Sequence, residues 1–149
     1  MFKELIETKE DISLFALRVM LGIVFFPHGA QKVLGWFGGY GFSATVNAFT
    51  HKMHIPLVLV LLAIAAEFLG SLALIFGFFT RLAAFGIAMV MAVAIYMVHA
   101  HNGFFMNWSG MQKGEGFEYH LLAFAIALAL MIKGAGSFSI DKNLSKQAP

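Results

Sequence analysis

Arg18, His28, Lys32, Glu67, His99, Glu118 and His120 are ionisable side chains set within, or at the ends of, long apolar runs. An ionisable group at the centre of a membrane helix costs about 2.5–3.5 kcal/mol on insertion scales, so such residues mark working or architectural positions. Their chemistry is that of proton transfer and hydrogen bonding. Imidazoles donate and accept near neutral pH, and a desolvated carboxyl can take up and release a proton. Glu67 and His28 are the candidates for moving a proton. Arg18, His99, His120, Glu118 and the two indoles Trp36 and Trp108 are the candidates for contacting a ligand.

The elements that must position them follow from hydropathy. Of 149 residues, 60% are hydrophobic and only 12% charged, too few charges to cover a small soluble domain. Four apolar segments stand out, at about 12–32, 56–79, 82–99 and 117–132, each close to the ~20 residues that cross a ~30 Å hydrocarbon layer. None alternates with period two, and lipid leaves no partner for an open backbone, so the segments are expected as helices. The expected fold is an all-α membrane protein, a four-transmembrane-helix bundle formed by one domain over residues 1–149.

Thr80 and Arg81 lie in a gap so short that the second and third segments must form an antiparallel hairpin. Two longer connections, 33–55 and 100–116, are rich in Gly and aromatics, and each carries one Trp at the level of an interfacial belt. The first contains a short amphipathic helix near 42–53. Each half of the chain thus reads as a helix ending in His, a Gly-aromatic loop and a helix carrying Glu, the pattern of a weak internal repeat. Outside the segments, Lys3, Lys9, Arg81, Lys133, Lys142 and Lys146 fall on the side of the termini, against Lys32, Lys52 and Lys113 on the other. Six against three places both termini in the cytoplasm.

At 100° per residue, Arg18, Gly22, Phe25, His28, Gly29 and Lys32 share one face. Glu67 shares its face with Ala63, Gly70 and Ser71, and small residues let membrane helices approach closely, so these two faces are expected to meet. Arg18 then either pairs with Glu67 or snorkels to the headgroups, and Lys32 is expected to snorkel outward. Glu118 and His120 point to nearly opposite sides of one helix, and either could face the interior.

Several chemistries are excluded. With no cysteine there is no thiolate metal site, iron–sulfur cluster, dithiol relay or cysteine nucleophile. The net charge of +2 comes from scattered lysines without a basic run, so no nucleic-acid partner is expected. The Gly35–Gly41 loop lacks the Gly-Lys-Ser/Thr ending of a phosphate loop.

The order and spacing of the motifs resemble the DoxX family of small bacterial membrane proteins. The carrying pieces are Leu17–Arg18, His28–Gly29–Ala30–Gln31–Lys32, Glu67–Phe68–Leu69–Gly70 and Gly77–Phe78–Phe79–Thr80–Arg81. They continue with His99, Asn102–Gly103–Phe104, Gly116–Phe117–Glu118–Tyr119 and the tail Gly134–Asp141. The resemblance implies a multi-pass protein of the bacterial inner membrane. It also implies a link to quinone-dependent oxidation, since relatives appear as membrane partners of redox enzymes. Pro27 departs from the family pattern and could kink the first helix and re-aim His28.

Three functions compete. The first is a quinone- or redox-linked membrane subunit, at most an oxidoreductase subunit, with its polar site in the outer half of the bundle. The second is a non-catalytic scaffold for a soluble or membrane redox protein, or a small homo-oligomeric transporter, held together by an Arg18–Glu67 pair. The third is a haem or metal site built from histidines on separate helices.

Overall fold

The computed structural model describes residues 2–147, apart from the side chain of Phe2; Met1, Ala148 and Pro149 lie outside the described residues. Among the described residues there are seven α-helices and no strand. A short α1 (Phe2–Ile6) leads into α2 (Ile12–Val33), whose N-terminus is capped by Asp11 accepting from the amides of Ser13 and Leu14. The chain continues through α3 (Gly41–Asn47), which widens into a π turn over Ala48–Lys52, and then α4 (Leu57–Phe76). After a three-residue turn comes α5 (Thr80–Ala94), extended by a π turn at Ile95–His99 and a 3-10 turn at Ala100–Asn102. The loop that follows leads to α6 (Glu118–Lys133), and α7 (Ile140–Gln147) closes the chain.

Three helical stretches are long and apolar enough to cross a membrane: Ile12–Val33, Leu57–Phe76 and Thr80–Asn102. The fourth expected span is corrected here. As α6 it has 16 residues, about 24 Å at 1.5 Å per residue, short of a ~30 Å hydrocarbon layer. Its packing is nevertheless that of a bundle member, because α2 meets α4, α4 meets α5, α5 meets α6 and α6 returns to α2. The shared core is small and aliphatic, with Leu21, Phe25, Leu74, Ala84, Ile87, Ala127 and Leu130 nearly inaccessible. Large apolar residues such as Val58, Leu69, Phe85 and Leu122 face outward, as lipid-bathed helices require.

Glycines set the closest approach. A Cβ on Gly29 would lie 2.5 Å from Phe68 Cα, and one on Gly22 would lie 2.7 Å from the Ser71 carbonyl oxygen, so α2 and α4 touch backbone to backbone. The expected meeting of these two small-residue faces is what the structure has. The helix runs on through Pro27 to Val33 without interruption.

The end carrying both termini is tied by polar contacts. Phe79, the residue before α5, has a left-handed backbone (φ 47°) and provides no cap of its own. Asp141 of α7 supplies it, accepting from the amides of Phe79 (2.7 Å) and Thr80 (2.8 Å), while its own amide donates to the Gly77 carbonyl (2.9 Å). Lys142 pairs with Glu10 and holds that exposed carboxyl below the usual carboxylate range. Losing a capping carboxylate typically costs ~1 kcal/mol. Asp141→Ala is therefore expected to lower the midpoint of thermal unfolding in detergent, with Asp141→Asn, which retains one acceptor, losing less. Equal losses in the two variants would argue against the cap.

Candidate functional site

Arg18, expected to pair with Glu67 or to reach the headgroups, does neither. It is fully buried and spends all its donors on backbone carbonyls. Nε donates to Ala135 (2.9 Å), Nη1 to Leu74 (2.8 Å) and Ile75 (2.6 Å), and Nη2 to Ser137 (3.2 Å) and Phe138 (2.5 Å). The Leu74 and Ile75 carbonyls belong to the last turn of α4, where helices leave acceptors unpaired and attract cations. Glu67 is seven residues earlier, about 10 Å along the axis, which is why the two never meet. Arg81 plays a similar part at the end of α6, donating to Met131, to Ile132 (2.8 Å) and to Glu7 (3.1 Å). Arg18 is thus architectural and stands apart from the outer polar residues.

The partner of Glu67 is Lys32. Rather than snorkelling away, the Lys32 ammonium forms an ion pair with the Glu67 carboxylate, which is almost wholly buried. Its Nζ also approaches the His28 carbonyl oxygen at 3.4 Å. The α2–α4 contact at Gly29 brings these helices close enough for a pair between residues 35 positions apart. His28 itself is exposed and packs against Phe25, 6.1 Å between ring centroids. It lies within electrostatic reach of Glu67 and of His120.

His120, and not Glu118, faces the interior. The residue is only 7% exposed, and its ring contacts the ring of His99, with centroids 4.0 Å apart. The π turn at Ile95–His99 aims His99 across to α6. His99 Nδ1 lies 2.9 Å from the Glu115 carbonyl oxygen; a carbonyl only accepts, so Nδ1 donates. Nδ1 of His120 is buried without a hydrogen-bond partner in the protein.

Glu118 turns to the loop instead, accepting from the Met106 amide (2.9 Å) and Trp108 Nε1 (3.3 Å). It pins that loop over the N-terminal end of α6. The indoles expected to flank a common ligand belong to different loops. Trp36 packs edge-on against Phe37, and Trp108 is 88% exposed.

One residue escaped sequence reasoning. Tyr119 follows Glu118 on α6, its hydroxyl is buried with no partner in the protein, and it lies within electrostatic reach of Glu67. A single Tyr at a helix end carries no periodic signal, so only the packing exposes it. As to metals, among the described residues no three His, Asp or Glu side chains are grouped to hold an ion. The His99 and His120 rings lie against each other and leave no gap for a planar macrocycle between them.

Residues 13–100 match the family described as DoxX. The chain belongs to the DoxX family. Its relatives cover nearly its whole length. It is 28% identical over 138 residues to "Inner membrane protein YqjF" of Escherichia coli, covering 93% of this chain and 96% of the relative. It is 31% identical over 134 residues to an uncharacterized protein of Haemophilus influenzae, covering 88% and 90%. A Bacillus subtilis relative named "Putative oxidoreductase CatD" is 30% identical over 120 residues, covering 80% of this chain and 79% of CatD. No solved structure matches. With its three apolar spans, this DoxX protein is a multi-pass protein of the bacterial inner membrane.

Proposed function

We propose that this DoxX protein is a quinone- or redox-linked membrane subunit whose working site is the polar cluster of Glu67, Lys32, His28, His99 and His120. The observation that carries the reading is the Lys32–Glu67 ion pair inside an apolar bundle, with His28 within electrostatic reach of it and of His120, whose ring contacts His99. Buried ion pairs are expensive and seldom improve stability over an apolar core. A purely mechanical bundle has no need of one. The name of CatD adds weight to a redox role.

The chemistry suits a quinone. Its carbonyl oxygens need hydrogen-bond donors, which Lys32 and the imidazoles provide, and its reduction or oxidation moves protons, which Glu67 and the histidine pair can take up and release. In this reading α6 completes the bundle as a fourth crossing despite its length, the outer loop at its N-terminal end making up the remaining depth. The Lys and Arg bias puts both termini in the cytoplasm and the cluster in the outer half of the membrane. The scaffold alternative loses the Arg18–Glu67 pair on which it was built, since each residue has other partners.

Calorimetric titration of the detergent-solubilised protein with a decyl-chain benzoquinone tests the reading. Saturable binding is expected, and weaker binding in Glu67→Gln, because a neutral amide no longer fixes the Lys32 ammonium by charge. His28→Ala, at the exposed edge of the cluster, should weaken it less. Unchanged binding in both variants would sink the assignment.

A further inference from the structure

The two helical stretches joined by the outer loop differ in length, 23 residues for Thr80–Asn102 against 16 for α6. At the end carrying the termini they are level. Arg81, in the first turn of α5, donates to the carbonyls of Met131 and Ile132 in the last turn of α6. The shortfall of α6 therefore falls at its other end, where residues 103–117 join it to α5.

The loop fills that place with apolar side chains. Phe105, Trp108 and Met111 are 67%, 88% and 87% exposed, the kind of bare apolar surface that marks contact with lipid or with another protein. The loop leans on α6 rather than standing clear of it. Trp108 and Met106 share one cleft with Leu121 and Leu122, which are exposed on α6. Glu118 also lines this cleft, held by the Met106 amide and the Trp108 indole. The aromatic face of the loop thus continues the outward-facing, apolar side of α6.

Irregular backbone close to lipid needs its polar groups paired, and this loop pairs many of its own. The amides of Phe117 and Glu118 donate to the carbonyls of Gly103 (3.3 Å) and Phe104 (2.9 Å), closing its base. The Asn107 amide donates to the Glu115 carboxylate (2.7 Å). The Asn107 side chain exchanges two hydrogen bonds with the Gln112 backbone, at 2.9 and 3.1 Å. The Glu115 carbonyl accepts from His99 Nδ1 (2.9 Å) and Asn102 Nδ2 (3.1 Å). A loop closed in this way can lie at headgroup level with its aromatic side chains in the membrane interface.

Resting on the reading of α6 as a fourth crossing, we propose that residues 103–117 complete that crossing by inserting Phe105, Trp108 and Met111 into the outer leaflet. The occupant of this aromatic face is the bilayer, and the backbone stays among the headgroups. Insertion also steadies the Glu115 carbonyl to which His99 Nδ1 donates, so the depth of the loop bears on one imidazole of the polar cluster.

The chain has two Trp and no Cys, so Trp36→Phe leaves Trp108 as the single indole, and Lys9→Cys, Lys146→Cys and Met111→Cys each supply a single thiol. In lipid nanodiscs, Trp108 should be quenched several times more by lipid spin-labelled near the top of the acyl chain than by lipid labelled at its end. It should also resist acrylamide far better than N-acetyltryptophanamide does. An environment-sensitive dye on Met111→Cys reads the same depth with Trp36 intact, and should emit as in lipid. In spheroplasts, Lys9→Cys and Lys146→Cys should both react with a membrane-impermeant maleimide only after lysis. Reaction of one of them alone before lysis would refute the crossing of α6 and the proposal with it. Reaction of both would place the loop on the inner side and refute the outer leaflet. Protection of both, with Trp108 and the dye in water, overturns the insertion alone and leaves the aromatic face to a protein partner. No readout here involves a quinone, so each of these failures is separate from a failure of the quinone titration.

Discussion

Arg18→Met is expected to be the most damaging single substitution in this protein. Met fills a similar volume but donates nothing, so the carbonyls of Leu74, Ile75, Ala135, Ser137 and Phe138 all lose the partner that Arg18 provides. A buried acceptor left unpaired costs about 1–3 kcal/mol, and water reaching some of the five would still leave a loss of at least about 3 kcal/mol. The damage should spread, because Arg18 ties the end of α4 to the segment between α6 and α7. That segment in turn delivers Asp141 to the N-terminus of α5. Arg18→Lys should rescue little, since one ammonium cannot replace a planar fork reaching five acceptors. Thermal unfolding in detergent, followed by fluorescence-detected size exclusion, measures this. A midpoint within a degree or two of the parent would show that the carbonyls do not depend on the guanidinium. The Lys32–Glu67 pair and the proposed quinone site should stay assembled in whatever fraction remains folded, because Arg18 does not touch them.

The second large effect is expected at Gly29, and it should separate from the first by reaching the site as well as the fold. A Leu there would set its Cβ 2.5 Å from Phe68 Cα and 2.6 Å from Phe68 N, atoms of a helix backbone that cannot step aside. The helices α2 and α4 must move apart, at a cost of about 1–3 kcal/mol for overpacking. Lys32 lies one turn further along the same face, so the separation also stretches its ion pair with Glu67. Gly29→Leu should therefore lose both stability and the proposed quinone binding. Gly70→Ala is the matched contrast. Its Cβ would meet Ala83 at 3.8–3.9 Å, ordinary contact, and replacing a mid-helix Gly should be neutral or stabilising by up to ~1 kcal/mol. If both glycine variants behaved alike, close helix approach would not be what sets the α2–α4 geometry.

Much of the architecture was legible in residue types alone. Lipid as solvent forces an apolar run to be a helix, so the apolar segments appear within a few residues of where hydropathy puts them. The Phe79–Leu82 gap is too short for anything but a hairpin. The amphipathic turn near 42–53 appears as α3 and its π extension. Gly22 and Gly29 announced a close interface because a missing side chain is visible in a sequence. The bounds of α6 were legible too, 117–132 expected against Glu118–Lys133, but sixteen residues fall short of a ~30 Å hydrocarbon layer.

What composition and periodicity determined was which side chains would be buried in the bilayer and therefore had to find partners; what they could not determine was the choice among partners. Residue types offered Glu67 the partner Arg18 and sent Lys32 outward, although both lie on the same face of α2. The decision fell to axial offset: Arg18 lies level with the open carbonyls at the end of α4, and Lys32 lies level with Glu67. Likewise, the sequence left Glu118 and His120 equally placed to turn inward. The loop over α6 engaged the carboxylate through Met106 and Trp108, and the π turn of α5 brought His99 against His120. Hydropathy is a property of each segment taken singly, whereas depth and azimuth between helices exist only once the bundle has packed.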